Sequence, residues 1–305
     1  MLFFIFLFQE KTIKTESYLF SHGFADTLNQ FCYYVKNYKW LGRGYENKSY
    51  ILYKPVKSFN FPDAMCKHVP NLYYTSLGQK NEIEALRKAY RQMDKEKETE
   101  NGQKIYDDKR VLAGVSRGAS TIINFLAKDK PDKVKAAILE SPFDHMESII
   151  MKHWFIELLA KLPFLSKERI YNIFCKITQY QDNGAHTINL VDKIDKNIPV
   201  MFVCSKTDKS VPYLATINLY KKLIKSGHKR AHLLRLANGR HARFLQNDEV
   251  GEKYQNVIHA FYKKYGLKHD DALAAKGEAD FGNCSPGIDQ LDKDSDLADG
   301  VENSL

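Results

Sequence analysis

Ser116, Asp208 and His241 stand in the chain order and local settings in which a hydroxyl, a carboxylate and an imidazole can work as one nucleophilic unit. Ser116 is the centre of Gly114-Val115-Ser116-Arg117-Gly118, a Gly-x-Ser-x-Gly run. A serine hydroxyl is a poor nucleophile until a base takes its proton and a third group orients that base. The pentapeptide alone arises often by chance, and its bland reading is a tight turn carrying an inert serine. Its flanks point to chemistry. Lys109–Ala113 reads as a short buried strand, and Ala119–Lys128 carries apolar residues at helical spacing. Between such elements the serine sits on a sharp, strained turn. Gly114 and Gly118 leave it room, and the helix start offers backbone N–H groups to a developing oxyanion.

The partners should follow in the order Ser, acid, His, each just past a strand end. The strand Val200–Cys204 leads into Ser205-Lys206-Thr207-Asp208, with Val211-Pro212 beyond. The strand His232–Leu236 leads into Ala237-Asn238-Gly239-Arg240-His241. Asp208 lies 92 residues after Ser116, and His241 lies 33 residues after Asp208. Rivals remain for both. Asp208 can be a surface turn-former, and Asp144, after Glu140-Ser141-Pro142-Phe143, is a competing acid one strand earlier. His232 in a strand and His228 in a lysine-rich loop compete with His241. His145, His153 and His186 read as core or solvent-facing groups.

The elements that must position these groups alternate along the chain. Strand candidates are Leu2–Phe8, Ser17–Phe20, Ser49–Lys54, Arg110–Ala113, Lys135–Leu139, Val200–Cys204 and His232–Leu236. Helical periodicity falls at Thr27–Tyr38, Gln79–Gln92, Thr121–Lys128, Tyr213–Lys225 and Tyr254–Lys264. Such alternation predicts an α/β fold: a doubly wound, mostly parallel sheet with helices on both faces. Residues 145–197 break the rhythm. They hold two apolar helix candidates, His145–Lys161 and Lys167–Thr178, and no convincing strand. An amphipathic helix needs something to cover, so this segment is read as a helical cap inserted over the site, or as ordinary core helices. The expected division is a core of 1–144 and 198–267, a cap of 145–197 and an acidic, disordered tail of 268–305. Apolar content collapses in that tail.

The 305 residues suffice for a sizeable core, and 44% hydrophobic with 27% charged residues is the balance of a soluble globular protein. The net charge of +9 is uneven: residues 268–305 carry ten acidic and three basic groups. A positive body can favour anionic substrates or anionic lipid surfaces. Lysines outnumber arginines 36 to 10 and are scattered, which suits a general lysine bias better than a binding stripe. No nucleic-acid motif accompanies the charge. Five cysteines without a Cys-x-x-Cys pair indicate neither a zinc site nor a disulfide framework. No phosphate loop or metal-ligand cluster is visible, so no cofactor and no metal is expected. The apolar start, Met1–Phe8, is too short to span a bilayer and lacks a basic n-region. A buried strand in a cytoplasmic protein is the favoured reading, with a degenerate export signal as the alternative.

The elbow, the Thr207-Asp208 turn with Val211-Pro212 and the Gly239-Arg240-His241 turn carry a resemblance. With Ser21-His22-Gly23-Phe24 after an early strand, they make the chain similar to α/β-hydrolase-fold serine hydrolases. The nearest branch holds the serine aminopeptidases and prolyl-oligopeptidase-like domains. The resemblance spans about Ser17 to Leu267. It implies Ser116 as nucleophile, His241 as general base and acid, and Asp208 as orienting carboxylate. It places the oxyanion hole at the backbone N–H groups of Phe24 and Arg117, with His22 a structural loop residue. The chain departs from the pattern at Ser205, where glycine is common, and at Leu52–Pro55, where a glycine-rich turn is usual. The implied activity is cleavage of an ester or amide acyl bond in a small acyl or peptide substrate through an acyl-enzyme. A non-catalytic scaffold of the same fold is the alternative, and oligomeric state is not legible.

Overall fold

The computed structural model describes residues 15–21, 23, 50–51, 78–95, 106–150, 161, 162, 164–178, 180, 186–246 and 248–292. Among the described residues six strands form one sheet: β1 (Thr15–Ser21), β2 (Tyr50–Ile51), β3 (Tyr106–Val115), β4 (Val134–Glu140), β5 (Val200–Ser205) and β6 (Ala231–Leu236). Their spatial order is β2-β1-β3-β4-β5-β6, and every pair is parallel. The apolar continuity of β4 and β5 follows, since a parallel sheet is covered on both sides.

Successive side chains on each strand point to opposite faces, and the two faces collect different helices. Leu19, Leu112, Leu139, Phe202 and Leu233 pack with α1 (Lys80–Lys95), α2 (Arg117–Asp129) and α5 (Tyr213–Lys225). Phe20, Val111, Ile138, Val203 and Leu234 pack with α6 (Asp248–Lys264). The sheet is therefore doubly wound, as expected. The chain leaves β1 for β2 on one side and returns to β3 on the other. A crevice opens beyond the strand ends at such a reversal, and ligands of open α/β sheets bind there. Ser116 follows β3 at that point.

Residues 145–197, the segment expected as an insert, supply α3 (Met146–Ile150) and α4 (Lys167–Thr178) among the described residues. Met146, Tyr171 and Tyr180 cluster with Phe143, Val211 and Ala215, so the insert rests on the segments that follow β4 and β5. Leu162, Phe164 and Ile173 remain exposed. Residues 187–194 form two short 3-10 turns whose Val191 and Ile194 join the main core. The chain has thus rejoined the core before the expected boundary at 197.

The acidic tail requires a correction. From 268 to 292 it is ordered, and it contains α7 (Asp271–Gly282), capped by the Asp270 carboxylate, which accepts from the N–H groups of Ala272 and Leu273. Its small residues let it lie close against α6: a Cβ on Gly277 would collide with the Asn256 carbonyl. Phe281 reaches the same core as α6, and Leu291 reaches the core on the opposite face. The acidic side chains pair with basic ones: Asp280 with Lys253, Glu278 with Lys263, and Glu252 of α6 with Lys276. The Cys284 carbonyl accepts the Leu233 N–H at 2.6 Å, capping part of the β6 edge. Low hydrophobicity here reflects close packing by glycine and alanine. The expected strand Leu2–Phe8, the helix Thr27–Tyr38, His22, Phe24, His153 and residues 293–305 lie outside the described residues.

Candidate active site

Ser116 occupies the turn between β3 and α2 with φ 53° and ψ −119°, a left-handed conformation that L side chains rarely adopt. Two backbone bonds hold it. Its N–H donates to the Glu140 carbonyl at 2.7 Å, and its carbonyl accepts the Ser120 N–H at 3.0 Å. Gly114 is required by close approach: a Cβ there would meet Ile122 Cδ1 at 2.7 Å and the Ala119 nitrogen at 2.8 Å. The strained, glycine-lined turn expected from the pentapeptide is thus present.

The next residue is less ordinary. The Arg117 side chain is buried at 3% exposure, and its guanidinium donates to the Gly23 carbonyl at 3.1 Å. It also lies 3.8 Å from the buried Glu82 carboxylate of α1. A charge taken out of water needs such partners. The contact ties the loop after β1 to the start of α2, the two segments expected to supply oxyanion donors. Phe24, the expected second donor, lies outside the described residues.

Asp208 and His241 come together past the ends of the neighbouring strands β5 and β6. His241 Nδ1 donates to Asp208 Oδ2 at 2.7 Å, so Nε2 is left as the acceptor nitrogen of the neutral ring. The Asp208 carboxylate is 1% exposed and the imidazole 21%. Asp208 Oδ1 accepts from the N–H groups of Ser210 and Val211 at 2.8 and 3.0 Å. Ser141 Oγ donates to Oδ2 at 2.9 Å. A second tie links the two loops, because the Gly239 N–H donates to Thr207 Oγ1 at 3.0 Å. Sheet register joins this pair to the nucleophile. Val115 pairs with Glu140 and Glu140 with Val203, so Ser116 and Ser141 leave adjacent strands side by side. Strands in a sheet lie about 4.8 Å apart. Among the described residues no hydrogen bond joins Ser116 Oγ to His241. In the free state such catalytic bonds are often long and tighten with substrate.

The rivals are occupied elsewhere. Asp144 accepts the His145 N–H at 2.7 Å and the Asn218 amide at 2.9 Å. His232 is buried between Ser285 Oγ and Tyr265 Oη, and burial, with Lys264 and His228 nearby, pushes it down to about 3. His228 is also lowered by burial and bonds to the Asp195 carbonyl. His186 bonds to Tyr180 Oη at 2.9 Å. Burial pushes the Cys204 and Cys284 thiols up to about 12, leaving them unreactive. No three His, Cys, Asp or Glu side chains converge as a metal site among the described residues. Ser141, which bonds the acid, and Thr207, quoted above only as part of the turn motif, had no role assigned from the sequence. Their only signal was a small hydroxyl residue just past a strand.

The sheet order, the elbow after β3 and the acid–histidine pair past β5 and β6 define an α/β-hydrolase-fold serine hydrolase. Residues 91–268 match the model of the prolyl oligopeptidase family, and the chain belongs to that family. Among solved structures it is similar to an esterase of Pyrococcus furiosus, with TM-score 0.56 and 17% identity over 83% of this chain and 84% of that one. It is also similar to the acylaminoacyl peptidase of Pyrococcus horikoshii, with TM-score 0.53 and 14% identity over 84% of this chain and 38% of that one. A search of curated proteins found no match. No helix among the described residues is long and apolar enough to cross a membrane.

Proposed function

We propose that the chain cleaves an ester or amide acyl bond through an acyl-enzyme formed on Ser116, with His241 as general base and acid and Asp208 orienting it. The observation that carries this reading is the 2.7 Å bond from His241 Nδ1 to the buried Asp208 carboxylate, past the same carboxyl ends of the parallel strands as Ser116. As Ser116 Oγ attacks the carbonyl carbon, its proton passes to His241 Nε2, and the carbonyl electrons move onto oxygen. Asp208 keeps the ring in the tautomer with Nε2 free and stabilises the imidazolium that forms. The backbone N–H groups of Arg117 and Phe24 receive the oxyanion; loss of one such donor costs about 3–4 kcal/mol of barrier. Collapse expels the leaving group, which takes the proton from His241. Water then attacks the acyl-enzyme by the same steps in reverse.

The insert packs on Phe143, Val211 and Ala215, beside the turn that holds Asp208. It acts as a cap whose apolar side chains favour a medium-sized apolar acyl or side-chain group, since pockets are mostly apolar with a few polar fixers. An ester and an amide meet the same triad. The esterase and acylaminoacyl peptidase similarities support testing both. Ser116→Ala is expected to lower turnover of a chromogenic ester by on the order of 10³-fold or more. It should also abolish labelling by a fluorophosphonate. Unchanged hydrolysis in that variant ends the assignment.

A further inference from the structure

We propose that Ser141 is a positioning residue for the acid–histidine pair, its hydroxyl holding the Asp208 oxygen that receives the His241 ring proton. The proposal rests on the triad reading above and goes beyond it. Ser141 Oγ and His241 Nδ1 meet the same oxygen, Oδ2, at 2.9 and 2.7 Å, while Ser210 and Val211 occupy Oδ1. A carboxylate offers about four acceptor sites. All four are taken, which leaves Asp208 one orientation in which to meet the ring. The carboxylate can only accept, so the serine donates.

The backbone around Ser141 is committed to this contact. Ser141 is 1% exposed and holds φ 45°, a conformation that favours glycine. Its N–H donates to the Val203 carbonyl of β5 at 2.8 Å. The chain therefore turns sharply off β4 toward β5, and the hydroxyl reaches the loop that carries Asp208. An alanine would keep the backbone and lose the donor. A glycine would relieve the positive φ and lose the donor as well. The two variants separate hydroxyl from backbone.

The test measures steady-state hydrolysis of p-nitrophenyl butyrate by the full chain and by Ser141→Ala, Ser141→Gly, Asp208→Asn and the Ser141→Ala/Asp208→Asn double variant. A hydrogen bond to a charged group predicts that both Ser141 variants lose kcat by roughly 10- to 100-fold, with KM within about threefold of the parent. In the Asp208→Asn background, Ser141→Ala should cost less than about threefold more, because the group it positions is already gone. Wild-type kcat in Ser141→Gly overturns the proposal by assigning the role to the backbone. A full, additive loss in the double variant overturns it by placing the hydroxyl's effect elsewhere. Should Ser141→Ala fail to fold, Ser141→Gly and a Ser141→Gly/Asp208→Asn pair read out the same cycle. Ser116→Ala is run alongside. If it stays active the triad reading fails; if it is inert while the Ser141 variants match the parent, only this inference fails.

Discussion

Four donors converge on the Asp208 carboxylate, and the consequence is a histidine with one tautomer. An amide in its place could present N–H toward the ring and invert that tautomer. Asp208→Asn is therefore expected to lower kcat on the order of 10³- to 10⁴-fold, with KM little changed, in steady-state assays on a chromogenic ester. A loss confined to KM would contradict the orienting role. The candidates Ser116, Asp208 and His241 stood out in the sequence because each lies within five residues of the end of an apolar run, and strand ends are where a parallel sheet gathers its chemistry. Excluding Asp144 and His232 took three dimensions. Asp144 turns to Asn218 on α5, and His232 points into the core beneath α7. Neither orientation has a sequence signature.

At the scale of elements, helix α5 matches its sequence expectation, Tyr213–Lys225, residue for residue. It carries a broad apolar stripe bounded by Pro212 and Gly227. Helix α6 begins at Asp248, six residues ahead of the expected Tyr254. Its first turns present few apolar residues, although Gly251 packs against the Leu245 backbone. Helix α7 was missed because an Ala/Gly helix reads as low hydrophobicity. Its packing depends on how near α6 comes, which no local window contains. Gly277→Ala would place a methyl group inside the Asn256 peptide, forcing the helices apart. Urea denaturation should show a destabilisation of about 1–3 kcal/mol, against a smaller change for the uncrowded Gly282→Ala. Equal effects at the two sites would discount the close approach.

For the molecule as a whole, the buried histidines set a direction for stability with pH. His232 is pushed down to about 3 and His259 to about 4, each mainly by burial, from an ordinary 6.5. Both folded values lie below the unfolded one, so the unfolded chain binds more protons between them. Stability is therefore undiminished above about 6.5 and falls as pH drops toward 4, at up to about 1.4 kcal/mol per pH unit for each histidine. Thermal melts from pH 7 to 4 should show a falling Tm. His232 bonds Ser285 and packs on Phe281, so proteolysis near the C-terminal segment should rise in the same window. A flat Tm across that range would refute the assignment of neutral, buried imidazoles.

What the amino-acid sequence determined by itself was the alternation of strands and helices, the strained serine turn and the chain order of acid and histidine. These are carried by periodicity, glycine placement and position relative to apolar runs, all of them local. The tertiary structure alone decided which carboxylate meets which imidazole, that Ser141 bonds that same carboxylate, and that residues 271–282 of the acidic tail fold back onto α6. Those outcomes turn on strand register and on the distance between helices, and such quantities arise only when segments far apart in the chain are brought into contact.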